Sequence, residues 1–92
     1  MEQQIDSSSN DILTLNLRNQ MTIEVSRKLL TSIPDSSLEA MFSGRHALEE
    51  KDGKILVDRD PEAFQYLIVY LQNHDIPQNK KLKAELDFWG IS

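Results

Sequence analysis

The chain has no cysteine in its 92 residues, which excludes disulfide bridges, thiolate zinc sites and cysteine nucleophiles. Its three glycines stand well apart, so none of them builds a phosphate-binding loop. Of its two histidines, His46 is isolated and His74 has only Asp75 beside it, which is too little for a metal site. No serine stands out as a nucleophile, because the serines lie in the leader or at predicted helix starts. We therefore expect no catalytic residue, no metal, no cofactor and no enzymatic activity.

Positive charge is also scarce, because ten Lys and Arg accompany fifteen Asp and Glu and the formal net charge is −5. A nucleic-acid-binding protein normally carries a basic stripe against phosphate, and a protein docked on an anionic membrane needs basic residues too. No apolar run reaches the roughly 18 residues of a membrane span. The sequence therefore predicts a domain that binds no nucleic acid and does not insert into a membrane, and we expect it in the cytoplasm.

The composition fits one small folded domain preceded by a short polar segment. Hydrophobic residues make up 39% of the chain and charged residues 27%, which is typical of a soluble domain with a modest core. Residues 1–10 are polar and rich in serine, with no signal-peptide core. We expect residues 1–10 to form a flexible leader and residues 11–92 to form the domain.

The first half of the domain has the pattern of a β-hairpin followed by two short helices. Apolar and polar residues alternate from Ile12 to Val25, with the turn at residues 18–20. Ser26 can cap a helix over residues 27–32. Ser36 and Glu39 then match a capping box, in which a serine hydroxyl and a glutamate satisfy backbone N–H groups at a helix start. Gly44 is the expected end of this second helix.

The second half has the pattern of a turn, a buried strand and two helices. Residues 52–53 are Asp-Gly, a turn signal, and residues 55–57 form an apolar run. Asp60 can cap a helix that begins at Pro61 and runs to about residue 73. A last helix from about Asn79 to Gly90 is predicted from apolar residues at near-helical spacing. Because strands and helices are segregated along the chain, the fold class is predicted to be α+β.

Placed in order, these pieces resemble the BTB/POZ domains of the potassium-channel tetramerisation type. The similarity covers roughly residues 12–91 and is greater to the soluble KCTD branch than to the channel branch. The matching pieces are Leu13-Thr14-Leu15-Asn16-Leu17, Pro34-Asp35-Ser36-Ser37-Leu38, Met41-Phe42-Ser43-Gly44, Asp52-Gly53, Val57-Asp58-Arg59-Asp60-Pro61 with Phe64, Tyr70-Leu71, and Glu85-Leu86-Asp87-Phe88-Trp89-Gly90-Ile91. The family usually has a glycine pair after the first strand, where this chain has Arg18-Asn19.

The resemblance implies a fold and a function. The implied fold is a small mixed sheet, made of the N-terminal hairpin and a further strand, flanked by four to five helices. The implied function is a non-enzymatic module that forms a homo-tetramer or homo-pentamer and acts as an adaptor, with a cullin-type ubiquitin ligase scaffold and a client protein as the expected partners. The alternative is a subunit-assembly domain of a voltage-gated potassium channel.

The resemblance also implies where the subunits meet. The family's Asp-Arg-Asp corner lies near the contact between neighbouring subunits, so we expect Arg59→Ala to weaken assembly more than it weakens the fold. The expected interface residues are Asn16, Ser43, Gly44, Arg45, Asp58, Arg59 and Asp60. Asp58 and Asp60 could instead hold a divalent ion, but Asp60 is already a helix cap and no third ligand is evident.

The aromatic residues could serve either the core or a partner. Phe64, Phe88 and Trp89 are predicted to lie in the core. Tyr66 falls off the apolar face of its helix, so we expect it to be exposed and to bind a partner.

Overall fold

The computed structural model describes residues 11–44, 47–77 and 79–91. The predicted leader at residues 1–10, the expected interface residue Arg45, and His46 lie outside the described residues. Within the described ranges, no helix is both long enough and apolar enough to cross a membrane.

A mixed four-stranded sheet forms one layer of the described part of the domain. Its strands are β1 (Ile12–Asn16), β2 (Thr22–Ser26), β3 (Glu50–Lys51) and β4 (Lys54–Leu56), in the spatial order β2-β1-β4-β3. β1 pairs antiparallel with β2 and parallel with β4, and β3 pairs antiparallel with β4. The hairpin, the further strand and the mixed sheet are confirmed, whereas the two-residue β3 was not predicted.

Two tight turns use positive backbone φ angles. A 3-10 turn at Arg18–Gln20 joins β1 to β2, with φ of 60° at Asn19 and 58° at Gln20. Asparagine tolerates this region better than most residues, so Asn19 can form this turn without a glycine. Asp52 and Gly53, at φ of 56° and 77°, connect β3 to β4 as the sequence predicted.

Each of the helices begins where a polar side chain accepts a hydrogen bond from its first turn. The helices are α1 (Arg27–Leu30), α2 (Ser37–Phe42), α3 (Pro61–Gln72) and α4 (Lys80–Trp89), capped by Ser26, Ser36, Asp60 and Asn79. These four starts match the sequence prediction, although α1 ends two residues earlier than expected. α4 ends at Gly90, whose φ of 72° is the left-handed cap that glycine favours.

The core lies between the sheet and the helices, and it contains Phe64 and Trp89 as predicted. The prediction that Phe88 is also buried is wrong, because its side chain is 54% exposed. The buried face of α4 carries Leu82, Leu86 and Trp89. Since each helical residue turns about 100°, the residue next to Trp89 points away from that face.

Candidate interaction site

The chain turns sharply from β4 into α3 through residues 57–60, here named the corner. Backbone hydrogen bonds fix this turn against β1. The amide of Val57 donates to the carbonyl of Asn16 at 3.0 Å, and the amide of Arg18 donates to the carbonyl of Arg59 at 3.2 Å. The corner is therefore held in one position relative to the end of β1, and its side chains have defined directions.

Asp60, at the end of the corner, is occupied by its own helix. One carboxylate oxygen accepts from the amide of Ala63 at 2.9 Å, which is the predicted cap. Lys81 of α4 donates to Glu62 at 2.8 Å and lies 4.0 Å from Asp60, and the hydrogen bond to Glu62 raises the pKa of Lys81. Across the described ranges, no three His, Asp or Glu side chains come together in a way that could hold a metal ion.

Arg59 binds a buried carboxylate of its own chain. Its Nε and Nη2 donate to the two oxygens of Glu85 at 3.0 and 2.8 Å. Glu85 is fully buried and also accepts from Nε1 of Trp89 at 2.9 Å. The hydrogen bond to Glu85 raises the pKa of Arg59, against a smaller opposing effect of burial. This two-pronged pair joins the corner to α4.

The guanidinium of Arg59 also covers an exposed aromatic ring. Its central carbon lies 3.7 Å from the centre of the Phe88 ring, a cation–π geometry. The ring of Trp89 meets Phe88 edge-on at 4.8 Å between centres. A groove of about 370 Å³ runs beside these rings, with Met41 and Leu56 on its wall. We name this surface the Phe88 face.

Two polar groups complete the surroundings of the corner. Arg18 donates to Asp58 at 2.7 Å, and this hydrogen bond and charge hold the pKa of Asp58 below its usual range. Both side chains are well exposed, so the pair contributes little to stability. The side-chain oxygen of Asn16, by contrast, is buried and has no hydrogen-bond partner among the described residues.

The structure brings together four of the expected interface residues, and it places two others just after α2. Asn16, Asp58, Arg59 and Asp60 lie at the corner or at the adjoining end of β1. Ser43 and Gly44 follow the end of α2. There the guanidinium of Arg27 donates to the carbonyl of Phe42 at 2.7 Å. A Cβ added to Gly44 would lie 3.9 Å from the same guanidinium.

Tyr66, the expected partner-binding residue, is half-buried against the core and not exposed as expected, and its hydroxyl donates to Glu62 at 3.4 Å. Phe88 is the more exposed of the two aromatics.

Glu85 was not predicted as a site residue, and Phe88 was predicted to lie in the core. A signal for Glu85 was present, because an acidic residue three positions after Leu82 and four before Trp89 falls on the apolar face of α4. A charged residue at such a position needs a buried partner, and Trp89 and Arg59 supply it.

Comparison with known proteins identifies the family. The profile of the BTB/POZ domain family matches residues 15–92. Human BTB/POZ domain-containing protein KCTD21 is 34% identical over 89 residues, covering 89% of this chain and 34% of that protein. FH protein interacting protein FIP2 of Arabidopsis thaliana is 36% identical over 96 residues, covering 95% and 32%. SH3KBP1-binding protein 1 of Bos taurus is 30% identical over 87 residues, covering 89% and 12%.

The chain therefore belongs to the BTB/POZ domain family, of the potassium-channel tetramerisation type. It spans about a third or less of the length of these relatives. The family consists of interaction domains rather than enzymes, and this chain is accordingly a protein-interaction and oligomerisation module.

Proposed function

We propose that this chain is a cytoplasmic adaptor module that assembles with copies of itself into a tetramer or pentamer and holds a different protein on the assembled ring. Family membership supports self-assembly in general. The buried, unpaired side-chain oxygen of Asn16 is the single observation that carries the proposal for this chain.

The state of Asn16 is unusual for a folded domain. Buried polar groups are hydrogen-bonded in the great majority of cases, and an unpaired one costs about 1–3 kcal/mol. Asn16 lines a shallow hollow next to the corner, together with Leu17, Arg18, Leu56, Val57 and Asp58. A hydrogen-bond donor of a neighbouring subunit that reached this oxygen would remove the cost. The unpaired oxygen therefore favours assembly at this end of β1.

The expected residues lie on two different segments of the chain, the corner with the end of β1 and the stretch after α2, and two segments can supply the two faces of a closed ring. In a head-to-tail ring, one face of each subunit meets a different face of the next. We propose that Asn16, Asp58, Arg59 and Asp60 form the first face. Ser43, Gly44 and Arg45 are proposed for the second.

Replacing Asn16 by leucine tests this assembly. Leucine has a similar size and removes the unpaired oxygen, so the fold of each subunit should be as stable as before or slightly more stable. Assembly should weaken, because a donor of the neighbour loses its acceptor at a cost of about 1–3 kcal/mol per contact. Sedimentation velocity over a dilution series, with thermal unfolding by circular dichroism, measures both effects.

Thr22→Val is the matched control for Asn16→Leu. Thr22 pairs with Asn16 in the sheet register but is exposed, so its replacement removes a polar group without touching the hollow. It should leave assembly unchanged. If Asn16→Leu assembles like the parent, or if Thr22→Val weakens assembly equally, Asn16 does not lie at a subunit contact.

For the second partner we propose a cullin-type ubiquitin ligase scaffold, bound at the Phe88 face. The family resemblance suggests the scaffold, and the exposed ring beside an apolar groove supports the surface, because aromatic residues are enriched among interface hot spots. Two relatives carry names that state a protein partner, FH protein interacting protein and SH3KBP1-binding protein. The KCTD names among the relatives support an adaptor over the alternative of a channel-assembly domain.

Phe88→Ala tests the scaffold-binding surface. Because Phe88 is exposed, its truncation should leave the fold unchanged, while the free energy of binding to the purified N-terminal region of a cullin becomes less favourable by about 2 kcal/mol or more, as for a hot spot. Isothermal titration calorimetry measures the affinity. Val69→Ala, an exposed apolar residue on α3, is the control and should bind normally. Equal binding by Phe88→Ala and the parent would reject the surface, and failure of the parent to bind would reject the cullin.

A further inference from the structure

We propose that Glu85 is a positioning residue for the Phe88 face: through Arg59 and Trp89 it holds the Phe88 ring in one orientation. This inference rests on the proposed function, because it names the residue that prepares the partner-binding surface. Glu85 itself is fully buried and cannot touch a partner.

The ring of Phe88 is held by two neighbours. The guanidinium of Arg59 lies over its face at 3.7 Å, and the indole of Trp89 meets it at 4.8 Å with an interplanar angle of 88°. Both neighbours are hydrogen-bonded to the same carboxylate, since Glu85 accepts two bonds from Arg59 and one from Trp89. One buried residue therefore determines where both supports of the exposed ring lie.

A ring held in this way binds a partner at a lower entropic cost. A large side chain that is free in solution loses rotamer freedom when a partner immobilises it. That loss corresponds to roughly a two- to tenfold weaker affinity per side chain. Glu85 removes most of this cost before binding, because Phe88 already occupies one orientation in the free domain.

The charges around the Phe88 face indicate what it binds. Arg59 is neutralised by Glu85, and Arg18 is paired with Asp58. The face thus presents little net charge on a chain whose formal net charge is −5. It suits an apolar side chain of the scaffold protein, inserted beside Phe88 into the groove, rather than a charged ligand.

A first experiment needs no partner. The full chain is labelled with 4-fluorophenylalanine, and the three resonances are assigned by replacing each phenylalanine in turn with leucine. In Glu85→Gln the Phe88 resonance should shift and narrow, because the weakened pair releases Arg59 and the ring moves more freely. The resonance of Phe42 should stay where it is. An unchanged Phe88 resonance would overturn the inference whether or not a cullin binds.

A second experiment measures the consequence for binding. Glu85→Gln should bind the purified cullin region two- to tenfold more weakly than the parent, the loss expected for one side chain that must be immobilised on binding. Asp87→Asn is the matched control, because it removes the same charge from an exposed position on α4. It should bind normally. Equal affinity for Glu85→Gln and the parent, or equal loss in Asp87→Asn, would overturn the inference.

A conservative change of Arg59 covers the case in which Glu85→Gln loses helicity. Arg59→Lys keeps a cation beside Glu85 but cannot form the two-pronged pair. Arg59→Lys should release the Phe88 ring. It should also weaken binding of the cullin region two- to tenfold, the loss expected for folded Glu85→Gln. A rigid ring and parental affinity in Arg59→Lys would show that Glu85 does not act through Arg59.

Discussion

At the residue scale, one buried carboxylate connects the two halves of the candidate site. Glu85 accepts hydrogen bonds from Arg59 on the corner and from Trp89 on its own helix. Sequence patterns indicated that Arg59 was important, but they could not show which acid it meets, because 26 residues separate the pair. Neighbouring residues in the sequence can indicate that Arg59 lies at the corner. Which acid it binds depends on how α4 packs against the corner.

Arg59→Ala should therefore destabilise the fold of each subunit as well as its assembly. It leaves Glu85 buried without its cation, and breaking such a pair costs several kcal/mol. Because Arg59 is 22% exposed, we expect about 3 kcal/mol, the lower end of that range. Urea unfolding of the dissociated chain measures this value.

Arg18→Ala is the comparison for Arg59→Ala. It also removes a paired arginine near the corner, but from an exposed pair, and it should change stability little. Equal stability of Arg59→Ala and Arg18→Ala would contradict the structural role of the buried pair. In that case the original expectation, that Arg59 matters chiefly for assembly, would stand.

At the scale of elements, the helices were the most predictable part of the domain. Their starts depend on short local signals, namely Ser26, Ser36, Asp60 and Asn79, each followed by a helical pattern. β3 escaped prediction because it has only two residues, both exposed, and owes its existence to pairing with β4. The mispredicted burial of Phe88 has a different origin, since the residue next to Trp89 is rotated about 100° around the helix axis and here falls outside the buried face.

Asp60→Ala tests how much the cap of α3, the helix that follows the corner, stabilises the domain. Loss of the cap should cost about 1 kcal/mol of unfolding free energy, whereas Asp60→Asn keeps an acceptor for the amide of Ala63 and should cost only a few tenths. Thermal unfolding of both variants measures the difference. A cost for Asn as large as for Ala would mean that the charge of Asp60, through Lys81 or a neighbouring subunit, matters more than the cap.

At the scale of the whole molecule, the sequence predicted the family and the mixed α+β fold better than it predicted the site. The family is readable because many short pieces occur in the right order. The site is assembled from β1, the corner and α4, and its geometry depends on contacts between distant residues. The buried, unpaired oxygen of Asn16 illustrates this, because nothing in the local sequence distinguishes it from any polar residue in a strand.

The central claim is that the chain assembles with itself into a closed ring. Native mass spectrometry of the unmodified chain, at roughly ten micromolar as suits weak to moderate interfaces, tests it most directly. We predict a single dominant species of four or five copies, which persists at physiological ionic strength because the proposed contact includes a buried hydrogen bond to Asn16. A folded monomer as the dominant species under these conditions would contradict the account.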